Sequence, residues 1–71
     1  MDKDQKYLDN TFMYHAPKAD QPKRYEELRA HAKSIATAII EMCPESRERS
    51  LALTKLEECS MWANASIARN E

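Results

Sequence analysis

Residues 50–71 read as one continuous helix that is apolar on more of its circumference than a single partner helix can cover. Leu53, Leu56, Ser60, Ala63 and Ile67 recur at intervals of three and four, forming one stripe suited to a partner within the chain. At about 100° per residue, Leu51, Cys59, Trp62 and Ala65 fall beside that stripe, on a face shared with Lys55 and Arg69. Trp62 then has two readings. It caps the hairpin core beneath the N-terminal segment, or it meets another subunit, and its indole N–H calls for a polar partner in both. Apolar surface left over after intrachain pairing predicts that the chain associates with copies of itself.

The intrachain partner lies upstream. Tyr25, Leu28, Ala32, Ile35, Ile39 and Met42 recur at alternating spacings of three and four, the seam of an antiparallel helix pair. Pro22 suits the first turn of this helix, where a missing amide hydrogen costs nothing. The helix stops near Cys43-Pro44, and Pro44 or Ser46 can begin the next. Before it, Pro17, Asp20 and Pro22 break the helical pattern. Further upstream, Tyr7, Leu8 and Phe12 sit at helical spacing, which predicts a short helix packed across the others. The expectation is an all-α, single-domain chain over residues 1–71. It comprises an N-terminal helix over 1–15, a linker over 16–21, a helix over 22–43, a turn over 44–46 and a helix over 47–69.

A chain of 71 residues is near the size at which one core barely offsets chain entropy, so disulfides, metal or association are the usual supplements. Cys43 and Cys59 have no Cys or His neighbour at ligand spacing, so neither a disulfide framework nor a zinc site is indicated. They read as small buried residues of a reduced, cytoplasmic protein. No cofactor is implied, and association remains as the source of stability.

Eleven basic and 12 acidic residues give a net charge of −1, which argues against clamping long nucleic acid through bulk positive charge. A small anionic ligand stays open. No apolar stretch approaches the roughly 20 residues needed to span a bilayer, so no membrane partner is expected. Glycine is absent, which removes the phosphate-cradling loops of P-loop and Rossmann sites. Any phosphate contact must come from side chains or helix ends.

The polar side of the first long helix is where such contacts can gather. Tyr25, Arg29 and Lys33 follow at steps of four, placing an aromatic plane and two cations on one side. A base can stack on the phenol while the guanidinium fork donates to phosphate. The competing reading pairs Arg29 with Glu26 on a solvated face and puts Tyr25 in the core. Phe12, Tyr14, His15, Lys18, Lys23 and Arg24 add aromatics interleaved with bases, a pattern that suits single bases, although Phe12 alone reads as a packing residue. Catalysis finds little support, because His15 and His31 are the only histidines and neither cysteine has a base beside it in sequence. His31 reads as a surface residue able to donate to a phosphate. The acid pairs Glu26-Glu27 and Glu57-Glu58 read as solvated faces.

The run from Tyr14-His15-Ala16-Pro17-Lys18 through Pro22-Lys23-Arg24-Tyr25 carries a resemblance that continues in the C-terminal half. There it rests on Ser46-Arg47-Glu48-Arg49-Ser50-Leu51, Leu56-Glu57-Glu58, Met61-Trp62-Ala63-Asn64-Ala65 and Ile67-Ala68-Arg69-Asn70. From about Thr11 to its end the chain resembles the small phage proteins of the type 2 anti-CBASS family, whose hairpin domain is shared with a phage anti-Thoeris sponge. The resemblance implies a sponge in the cytoplasm of an infected bacterium, not an enzyme. Such a protein sequesters cyclic oligonucleotide messengers intact and keeps them from CBASS effectors. It also implies a homohexamer of helical hairpins with cyclic dinucleotides in pockets shared between protomers, and cyclic trinucleotides at separate sites in at least some members. Carried onto this chain, it implies that Tyr14 stacks on a base and Arg29 contacts a phosphate. Lys18 and Arg24 reach phosphate or base edges, and Tyr25 and His15 shape the wall. A trinucleotide site falls near His31 and Ala36 at the oligomer axis. The residues alone leave two other functions open: a helical adaptor binding a phage or host protein, and a cyclic nucleotide phosphodiesterase.

Overall fold

The computed structural model describes residues 2–12 and 18–71. Among them are three helices and no strand: α1 (Asp2–Phe12), α2 (Gln21–Met42) and α3 (Arg47–Asn70). The packing that organises the molecule is between α2 and α3, which run antiparallel as a helical hairpin. At 22 and 24 residues the arms match in length, about 33 and 36 Å at a rise of 1.5 Å per residue.

Local chemistry sets the turn between them. Cys43 leaves the helix for extended backbone (φ −108°, ψ 134°) because the ring of Pro44 excludes helical geometry from the residue before it. The amide of Cys43 still donates to the Ile39 carbonyl at 2.9 Å, closing the last turn of α2. Ser46 then caps α3: its Oγ accepts from the Arg49 amide at 3.1 Å and donates to the Pro44 carbonyl at 3.0 Å. Arg49 Nη1 donates to the Cys43 carbonyl at 3.2 Å, so the side chain of the new helix fastens the end of the old one. Glu48 in the first turn and Arg69 in the last lie with the helix dipole.

Leu53, Leu56, Ser60, Ala63 and Ile67 are all half-buried along α3, facing a seam to which α2 contributes Leu28, Ala32, Ala36 and Ile39. Two residues assigned to the α2 seam by spacing are outside it. Ile35 is 52% exposed and Met42 80% exposed, because a two-helix contact covers a narrower arc than the full apolar arc of α2. Among the described residues no apolar side chain is fully buried. The expected burial of Cys43 and Cys59 is likewise not realised, both being exposed, since one layer of helices has no interior to receive them.

The N-terminal helix also departs from expectation. Its apolar residues Tyr7, Leu8 and Phe12 are exposed instead of packed across the hairpin. Tyr7 and Phe12 meet each other edge to face, with ring centroids 6.4 Å apart and planes at 84°. Helical spacing identifies an apolar stripe but not the surface that covers it. The result is a flat molecule of 49 × 28 × 13 Å, its least dimension close to the roughly 10–12 Å diameter of one helix with side chains.

Candidate functional site

Where α2 begins, a corner of the chain is held by side chains. Ala19 has φ 35°, in the left-handed region that a Cβ disfavours, at a cost of about 1–2 kcal/mol. The turn that carries it is closed by the Gln21 amide donating to the Lys18 carbonyl at 2.7 Å, and by the Lys18 amide donating to Gln21 Oε1 at 2.9 Å. Asp20 sits at the N-cap position of α2, but its carboxylate makes no cap bond and turns to Arg24, with Nε at 3.2 Å.

The same corner reaches across to the far end of α3. Lys18 Nζ donates to the main-chain oxygen of Glu71 at 2.6 Å, Gln21 Nε2 to Glu71 Oε1 at 3.1 Å, and Arg24 Nη1 to Glu71 Oε2 at 2.8 Å. The second guanidinium nitrogen of Arg24 donates to Glu71 Oε1, completing a fork. Hydrogen bonds from Arg24, then from Gln21, hold the Glu71 carboxyl down to about 2, against an opposing push from burial. The Arg24 guanidinium is raised above its ordinary value, chiefly by its hydrogen bonds to Glu71. Gln21 is 4% exposed and is the one buried residue among the described residues.

Farther along, each face of the hairpin carries a shallow groove over the seam. One, of about 350 Å³, is lined on α2 by Arg29, Ala32, Lys33 and Ala36 and on α3 by Leu53, Leu56, Glu57 and Ser60. Its floor is apolar and its α2 rim is cationic. Among the described residues neither Arg29 nor Lys33 has an ion-pair or hydrogen-bond partner for its charged group, so both remain available to an incoming anion. The volume is near the lower end of the roughly 300–1,000 Å³ range of small-molecule sites. The opposite face has a smaller groove of about 140 Å³, where His31, Ile35 and Cys59 lie beside Leu28 and Ala63.

The structure therefore divides the residues that the sequence groups together. Arg29 and Ala36 line the same groove, and Tyr25 is half-buried one turn before Arg29. His31 lies in the groove of the other face, away from Ala36, because five residues along a helix turn a side chain through about 140°. Lys18 and Arg24 come together, with Glu71 already between them. Tyr14 and His15 lie outside the described residues. Sequence reasoning missed the α3 side of the groove. Glu57 reads there as a solvated acid, yet Leu53, Leu56, Glu57 and Ser60 sit at i, i+3, i+4 and i+7, the spacing of one helix face.

A family model described as "Acb2/Tad1, hairpin domain" matches residues 4–68, from the first turn of α1 into the last turn of α3. The chain belongs to this family. Searches among curated proteins and among solved structures return no match. The Acb2/Tad1 hairpin is the domain to which the resemblance to the anti-CBASS and anti-Thoeris sponges points. The match extends further toward the N-terminus than the resemblance from about Thr11, taking in most of α1. The turn at Pro44 and Ser46 and the seam of α2 on α3 both lie within the matched residues. The cationic groove is built directly on that seam.

Proposed function

We propose that this protein is a phage immune-evasion sponge that binds cyclic oligonucleotide messengers and holds them without cleaving them, in the cytoplasm of the infected bacterium. The observation that carries the reading is the pair of cations, Arg29 and Lys33, unpartnered among the described residues, on the rim of an apolar groove in an Acb2/Tad1 hairpin. Arg29 donates its forked N–H groups to a phosphate of a cyclic dinucleotide, Lys33 adds a second charge, and the apolar floor packs against the ring face of a base. Tyr14 supplies the stacking plane. One protomer offers only an open half-site, so the pocket is completed by a second copy in a homo-oligomer, for which the family resemblance suggests a hexamer. Cyclic trinucleotides bind at a separate site that includes His31.

The test is a thermal-stability panel of cyclic di- and trinucleotides, followed by heat denaturation and chromatography of the released ligand. Stabilisation by mass action with unmodified ligand recovered is the expected outcome. Linear product in the released fraction would make the protein a phosphodiesterase. No stabilisation by any nucleotide would leave a helical adaptor, with the exposed edge around Trp62 as its contact surface.

A further inference from the structure

Three donor side chains converge on Glu71 where α2 begins, Gln21 and Arg24 on its side-chain carboxylate and Lys18 on its main-chain oxygen. Lys18 and Arg24 supply two positive charges, and Gln21 supplies an amide N–H from a side chain that is 4% exposed. The orientation of Gln21 is fixed from behind: its Oε1 accepts the Lys18 amide at 2.9 Å, which leaves its Nε2 no choice but to face the anion. A fork of guanidinium donors, an ammonium and an immobilised amide form a cradle whose geometry suits any compact oxyanion, phosphate as well as carboxylate. Its present occupant is part of the same chain. Glu71 is reached only because the last turn of α3 returns to the start of α2, and its side chain is still 42% exposed. A helix end frays more readily than a helix middle, so this occupant can leave while the seam stays intact.

We infer that Glu71 is an internal counter-anion filling a phosphate-binding cradle made by Lys18, Gln21 and Arg24, and that a phosphoryl group enters by displacing it. The last turn of α3 then acts as an autoinhibitory contact. Lys18 and Arg24 are released to a ligand only in competition with Glu71, whereas Arg29 and Lys33 have no such competitor among the described residues. The inference adds a regulated second contact to the sponge proposed above. The cradle itself can be probed without any cyclic nucleotide.

Inorganic phosphate is the probe, titrated at constant ionic strength into isotopically labelled protein while the Gln21 side-chain amide and Arg24 guanidinium resonances are followed by NMR. Glu71→Gln keeps the shape and removes the charge. It should show saturable shifts at both groups, with phosphate bound at least tenfold more tightly than by the parent, and Arg24→Ala added to it should abolish the shift at the Gln21 amide. Glu71→Asp keeps the charge but draws the carboxylate back by one methylene, and should fall between the two. This variant preserves the test if Glu71→Gln does not fold. Absence of saturable shifts in a folded Glu71→Gln or Glu71→Asp protein overturns the inference and leaves the corner as a purely structural clasp. A parallel titration with cyclic dinucleotide separates the two proposals. Failure of the parent to bind it counts against the sponge, while the phosphate result stands on its own.

Discussion

At the scale of single residues, the two arginines of α2 with the strongest claim on an anion are in opposite situations. Arg24 is engaged on both sides by Asp20 and Glu71, whereas Arg29 is exposed with no partner among the described residues. Replacing Arg29 should therefore leave the fold nearly untouched. Arg29→Ala is expected to shift stability by less than about 0.5 kcal/mol, the range of ordinary surface changes. The same change should weaken cyclic dinucleotide binding by about 10- to 100-fold, the equivalent of losing one charged hydrogen bond of about 1.5–3 kcal/mol. Calorimetric titration beside a thermal melt measures both, and unchanged affinity would remove Arg29 from the site. Glu71 makes a different prediction, in pH. Its carboxyl titrates at about 2 in the folded chain against 4.5 ordinarily, because Arg24 and Gln21 donate to the ionised form. A depressed folded value means that the contribution is complete above about pH 4.5 and is lost as pH falls toward 2. Between those limits the parent should lose more stability than Glu71→Gln, and parallel acid-melting slopes in the two proteins would contradict the assignment.

At the scale of elements, the hairpin turn rests on Ser46. Its hydroxyl is the acceptor for the Arg49 amide, and no neighbouring side chain duplicates that bond. Ser46→Ala should cost about 1 kcal/mol, a fall of roughly 4–8 °C in the melting temperature of a domain this small. A melt of the helical circular dichroism signal reads it directly, and Ser46→Asp should restore most of the loss because a carboxylate caps equally well. The turn was legible in the sequence because proline and a capping serine act on the backbone beside them. The α3 stripe was legible for a similar reason, since its spacing alone puts Leu53, Leu56, Ser60, Ala63 and Ile67 on one face. Ile35 and Met42 were misplaced because periodicity gives the direction of an apolar side chain but not the width of the contact that covers it. The separation of His31 from Ala36 was recoverable from the angle between them. The capture of Lys18 and Arg24 by Glu71 was not, because it joins residues about 50 positions apart through the return of α3. The α3 rim of the groove lay between those cases, its spacing visible and its partner across the seam hidden.

At the scale of the whole molecule, surface area is the deciding quantity. A compact monomer of 8.2 kDa exposes about 4,500 Å², whereas this chain exposes 6098 Å². Its radius of gyration is 15.8 Å, against about 11 Å for a globule of this length. The excess matches the shape, a single layer of helices where a stable domain has at least two. Trp62 is 64% exposed on this layer, with the Arg69 guanidinium over its ring 5.8 Å from the centroid, and Met61 and Leu51 lie exposed on the same helix. Another copy of the chain supplies the missing layer most simply, because each copy carries the same deficit. Light scattering coupled to size-exclusion chromatography should return a multiple of 8.2 kDa. As the only tryptophan, Trp62 reports on its own surroundings. If the association buries its edge of α3, its emission will shift to shorter wavelength over the concentration range in which the mass rises. Trp62→Ser will then shift the assembly toward smaller species. A multimer whose Trp62 emission stays at the water-exposed wavelength would place the contact on the grooved faces instead. A monomer at every concentration would refute association and leave the 6098 Å² surface to a partner other than itself.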